Sequence, residues 1–159
     1  MYNTIAVGTR SAQLLITTDD GARPSLSLPL SATATDQTIA FYADPVHCGN
    51  QLISAGPNPP QPVTIQNVGT IGNINFTGSG FAISGTHAAD VQIVGTVSTA
   101  PLAPGDSRSF DISFDPSANG VRNAIITVTS DEPNSPRSAT LVGHGTTTPA
   151  NAENWQLFE

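Results

Sequence analysis

The sequence predicts an all-β protein folded as an antiparallel β-sandwich. Three observations carry this. Apolar and polar residues alternate with period two in short runs, Gly and Pro punctuate the chain between those runs, and no segment holds a sustained helical apolar stripe. The 159 residues include 14 Gly and 13 Pro. Short strands so closely spaced, with turns between them, indicate a sandwich, with a small barrel as the alternative. A sandwich buries the facing surfaces of two sheets about 10 Å apart, and about seven strands in roughly 100 residues suffice for one.

The clearest strand is Ser107 to Phe114, where Phe110, Ile112 and Phe114 share one face and Ser109, Asp111 and Ser113 the other. It lies between Ala103-Pro104-Gly105-Asp106 and Asp115-Pro116. Arg122 to Thr129 follows with Ala124, Ile126 and Val128 inward. Asp131 to Pro136 then reads as a turn and Ser138 to Val142 as the return strand. Earlier strands are expected over Thr38 to Tyr42, Pro62 to Gln66, Asn73 to Phe76, Phe81 to Ser84 and Val91 to Val94, with at most one helical turn in Thr86 to Asp90.

Only 11% of residues are charged, against about 25% in an average soluble domain. The deficit is filled by Ser, Thr, Asn, Gly and Pro, which excludes a coiled coil. Recurrent β-branched runs argue against wholesale disorder. The net charge is -7, and the five basic residues are all scattered arginines. Clustered Lys and Arg are needed to neutralise nucleic-acid phosphates or to hold an anionic membrane surface, so neither is an expected partner. No apolar run reaches the roughly 18 residues of a membrane-spanning helix, so membrane insertion is not expected. Met1 to Gly8 shows no basic and apolar leader pattern. The single cysteine, Cys48, leaves no internal disulfide framework.

An internal repeat organises the chain. Gly8 to Asp20 matches Gly120 to Glu132, 112 residues on, and Pro24 matches Pro136 at the same spacing. With one residue deleted after that proline, Leu30 to Ala34 lies over Leu141 to Gly145. The inward set Ala12, Leu14 and Ile16 thereby falls on Ala124, Ile126 and Val128. Three segments are expected: residues 1–35 as the C-terminal hairpin of an incomplete preceding repeat, 36–145 as one complete module, and 146–159 as linker and tail. A two-stranded hairpin is marginal alone in water, so the apolar face of Leu14, Ile16, Leu26, Leu28 and Leu30 needs cover. Those five residues, with Trp155 and Phe158 of the tail, form the expected interface.

A set of motifs runs through the complete module: Pro62-Val63-Thr64-Ile65-Gln66-Asn67-Val68-Gly69-Thr70, Ala82-Ile83-Ser84-Gly85 with Asp90, and Leu102-Ala103-Pro104-Gly105 before Phe110 to Pro116. It closes with Gly120-x-Arg122, Thr129 to Pro133 and Leu141-Val142-Gly143-His144-Gly145. Together these resemble the bacterial choice-of-anchor D domains and the related ASH (abnormal-spindle and hydin) immunoglobulin-like domains, with Val91 where an aromatic usually stands. The resemblance implies an immunoglobulin-like antiparallel sandwich of about seven strands, preceded here by the extra β-hairpin. It also implies an extracellular or cell-surface setting.

No catalytic constellation is legible. His47, His87 and His144 lack metal-ligand spacing, His47 beside Cys48 falls short of the ligands that zinc needs, and Gly78-Ser79-Gly80 reads as a turn rather than a nucleophile elbow. Asp111, Asp115, Asp131 and Glu132 lack EF-hand spacing for calcium, and Asn75-Phe76-Thr77 is a glycosylation sequon in form only. The expectation is therefore no enzyme, no metal and no cofactor. The function expected is that of a structural or adhesive protein of an extracellular array or filament, assembling through strand pairing with copies of itself or neighbouring immunoglobulin-like repeats. The alternatives are a monomeric accessory or binding module of a larger secreted bacterial protein, and an intracellular ASH-type scaffold.

Overall fold

Residues 8–147 are described by the structure, a computed structural model. Two strands come first: β1 (Gly8–Thr17) and β2 (Ser25–Ala34), an antiparallel hairpin forming a sheet of its own. Eight more follow: β3 (Ile39–Phe41), β4 (Val46–Leu52), β5 (Gln61–Asn67), β6 (Phe76–Ser84), β7 (Val91–Val94), β8 (Ser107–Phe114), β9 (Gly120–Ser130) and β10 (Arg137–Thr146). One 3-10 turn, Ala88–Asp90, leads into β7. The protein is all-β, as the alternation requires, and among the described residues no helix is long and apolar enough to cross a membrane.

The eight later strands make two four-stranded sheets, in the orders β4-β10-β9-β6 and β3-β5-β8-β7. Their inward positions fuse into one core. Val63 and Ile65 of β5 and Phe110, Ile112 and Phe114 of β8 meet Ala124, Ile126 and Val128 of β9 and Ala139 and Leu141 of β10. Successive side chains of a strand point to opposite faces, so the same alternation puts Ser109, Asp111 and Ile125 outside. Phe81 joins the core between two rings, stacked on Phe76 at 5.2 Å and edge-on to Phe110 at 5.1 Å.

Several expected details are corrected. Among the described residues eight strands, against about seven expected, follow the hairpin, because Val46–Leu52 also pairs. It does so in parallel with β10, so the sandwich is not wholly antiparallel. Asn73 to Phe76 is not a strand of its own: Phe76 opens β6, and Ile74 makes an isolated antiparallel bridge to Leu102, each donating its N–H to the other's carbonyl at 2.9 Å. Gly78-Ser79-Gly80 lies inside β6 as a bulge. The register against β9 jumps there from Phe76 opposite Ser130 to Phe81 opposite Val128.

Candidate functional site

Among the described residues the hairpin carries the largest group of solvent-facing apolar side chains. Its register sets Ala12 opposite Leu30, Leu14 opposite Leu28 and Ile16 opposite Leu26. Directly opposed residues share a face, so these six make one apolar stripe. Ser11, Gln13, Leu15, Ser27, Pro29 and Ser31 stand on the other side, where Leu15 is 62% exposed. Leu14, Ile16, Leu26, Leu28 and Leu30 remain 42–60% exposed. The structure thus gathers these five expected interface residues on one surface; Trp155 and Phe158 lie outside the described residues. The hairpin's turn is closed locally. Thr18 donates its N–H to the Pro24 carbonyl at 3.1 Å and its hydroxyl to the Arg23 carbonyl at 2.8 Å, and Ala22 N–H reaches Asp20 Oδ1 at 2.8 Å.

Asp36 fixes the base of the hairpin to the sandwich. Its Oδ1 accepts the Thr70 and Ile71 N–H groups, each at 2.8 Å, and its Oδ2 accepts the Thr70 hydroxyl at 2.9 Å. The Ile71 amide leads in holding this carboxyl below the ordinary aspartate range. The same turn is locked from inside by Asn67. Its Nδ2 donates to the Gly72 and Leu102 carbonyls at 3.1 and 3.0 Å, while its Oδ1 accepts Gly69 N–H at 3.1 Å.

Two ion pairs brace the far parts of the sandwich. Arg122 Nε donates to Asp90 Oδ2 at 2.5 Å and its guanidinium also reaches Ser117 Oγ at 2.7 Å. Burial raises the Asp90 carboxyl, but the hydrogen bonds from Arg122 and Ser117 outweigh it and leave the net shift downward. Arg137 Nε donates to Glu132 Oε1 at 2.9 Å, and Glu132 Oε2 accepts the Ile39 N–H at 2.8 Å. Sequence reading missed both pairs, although Asp90 and Arg122 stand in quoted motifs; only tertiary structure joins segments 32 residues apart.

The remaining candidates disperse. His47 and Cys48 alternate to opposite sides of β4, His47 exposed and Cys48 buried, and burial pushes the Cys48 thiol up, away from a thiolate. His144 on β10 comes beside that strand, and His47, Asn50, Val121 and His144 rim a recess of about 150 Å³. His87 accepts the Asn123 N–H on Nδ1 at 2.9 Å. Asp131 accepts the Asn75 N–H and side-chain amide, and Asp111 faces outward. Among the described residues no three His, Cys, Asp or Glu side chains gather closely enough to hold a metal ion.

No family model matches the chain, and no curated protein matches it. Among solved structures it is similar to the VesB protease of Vibrio cholerae, at 16% identity and a TM-score of 0.47 over 69% of this chain and 32% of that one. It is also similar to the secreted serine protease VesC of Vibrio cholerae, at 16% identity and a TM-score of 0.50 over 77% of this chain and 28% of that one. At 16% identity the likeness to VesC is one of fold alone. The chain spans under a third of either structure's length.

The likeness to VesC corrects two expectations: that the chain is a non-catalytic structural or adhesive filament subunit, and that it is no enzyme. A fold found within a secreted serine protease does not set a chain apart as structural. The physical reason is that a Ser-His-Asp arrangement is recognised by geometry and not by residue spacing, so absent linear motifs exclude nothing.

Proposed function

We propose that the chain is an immunoglobulin-like β-sandwich portion of a secreted protein of serine-protease type. The observation that carries this is the fold shared with VesC across 77% of this chain and 28% of that one. The strand orders support the immunoglobulin-like part. β3-β5-β8-β7 runs in the order A-B-E-D and β6-β9-β10 in the order C-F-G, with β4 as an added edge strand. The motif resemblance to choice-of-anchor D and ASH domains favours the same fold, since its Asn67, Asp90, Arg122, Gly143 and Gly145 all stand at packed or hydrogen-bonded positions. In this reading the sandwich is a rigid part of the exported enzyme, its loops tied down by Asp36, Asn67 and the two ion pairs.

A fluorophosphonate probe tests the proposal on the protein in the form its host makes. The serine hydroxyl of a serine protease attacks phosphorus and expels fluoride, so an active protease of this class becomes covalently labelled. Labelling at one serine, in protein recovered from the culture medium, is expected. Active, folded protein that takes up no label overturns the protease reading, and label confined to the cell interior overturns its export.

A further inference from the structure

The hairpins β1–β2 and β9–β10 are built alike. In β9–β10 the register sets Ala124 opposite Leu141 and Ile126 opposite Ala139; in β1–β2 the matching positions are Ala12 opposite Leu30 and Leu14 opposite Leu28. The turns repeat as well. Asp20 N–H donates to Thr18 Oγ1 and Arg23 N–H to the Asp20 carbonyl, as Glu132 N–H donates to Ser130 Oγ and Ser135 N–H to the Glu132 carbonyl. Their surroundings differ. Ala124, Ile126, Ala139 and Leu141 are at most 2% exposed, sharing a core with β5 and β8, whereas Leu14, Leu28 and Leu30 are open to solvent.

We infer that β1 and β2 are the closing hairpin of a second β-sandwich, and that their leucine stripe is the seat for that sandwich's opposing sheet, a layer equivalent to β5 and β8. The occupant is thus a Val-, Ile- and Phe-lined sheet face of the same kind of repeat. A second copy of the chain offers no such vacant layer, because its β5 and β8 are already covered by its own β9 and β10. The hairpin also states what the occupant must look like. Leu28 replaces the smaller Ala139, and Ala32 replaces Gly143, where a Cβ would come within 2.5 Å of the Phe114 ring. The opposing sheet therefore carries a side chain smaller than Phe at the position equivalent to Phe114. This inference is independent of the protease reading.

The test builds the missing layer from the chain's own residues. A copy of residues 36–119 replaces residues 1–7, so that Asn119 runs into Gly8 as it naturally runs into Gly120. It is made in two versions: with Phe114→Leu in the added copy, and with the added copy unchanged but Leu28→Ala and Ala32→Gly in the hairpin. Either version is expected to remain monomeric in sedimentation and to slow amide exchange across β1–β2 by about 100-fold or more relative to the original chain. Unchanged exchange in both versions overturns the inference. So does an original chain that already self-associates with β1–β2 protected and loses both properties on Leu14→Asp, since the occupant is then a second copy.

Discussion

Gly143 and Gly145 are set by what stands against them. A Cβ on Gly143 would lie 2.5 and 2.6 Å from Phe114 Cζ and Cε1, and one on Gly145 would lie 2.1 Å from the Ala118 carbonyl oxygen. Phe114 is fully buried, so its ring has nowhere to retreat. Gly143→Ala is expected to lower stability by about 1–3 kcal/mol through overpacking. In urea unfolding the double variant with Phe114→Leu should cost less than the two single losses added together; simple additivity would show that the ring is not the obstacle. Asp90 supplies a second residue-scale prediction. Its carboxyl is depressed in the fold, so its contribution is present above the unfolded value of about 3.9 and is lost as pH falls through the folded value. Arg122→Met strands a buried carboxylate and should cost about 3 kcal/mol at pH 7. The gap between wild type and variant should shrink below about pH 4 as both carboxyls protonate; denaturation midpoints across that range that stay equally far apart would remove the pair from the acid response. The motif letters for these residues are visible in the sequence, but the jobs they do are not: a glycine in a strand does not name the ring it faces.

At the scale of elements, legibility followed local patterning. Ser107–Phe114 and Val91–Val94 have the expected bounds because turns flank them and period-two alternation fills them. The single helical turn before β7 is likewise where Thr86 to Asp90 suggests it. β4 escaped notice because Val46 and Cys48 are its only buried residues and Gly49 interrupts the pattern. Its partner, β10, lies more than 90 residues further along, and parallel pairing leaves no turn signal between the two. Ile74 failed in the opposite way. It is fully buried and looks like a strand, yet one bridge to Leu102 is all the pairing it makes. The hairpin was legible in both strands and in its apolar stripe, since an acidic turn and a proline separate two alternating runs. Its likeness to β9–β10 was legible as well, in the 112-residue repeat; the hydrogen bonds that recur in the two turns were not.

The whole molecule has two levels of stability, and this follows from where the apolar surface goes. The sandwich strands share one continuous core across two sheets. β1 and β2 pack chiefly on each other and leave their leucines in water, so their ten-residue ladder, the turn bonds and cross-strand pairs worth about 0.2–1 kcal/mol each must hold them. Amides of β1–β2 should therefore exchange through shallow local opening, while those of β5, β8, β9 and β10 exchange only near the global unfolding free energy. Ile126→Ala separates the two levels. The side chain is fully buried, so its truncation should cost the sandwich about 2–5 kcal/mol. The hairpin touches no part of that cavity, so its exchange rates should stay the same. Hydrogen-exchange mass spectrometry reads both regions in one sample, and a hairpin that loosened in step with the sandwich would mean that Asp36 and its turn transmit core packing into β1–β2.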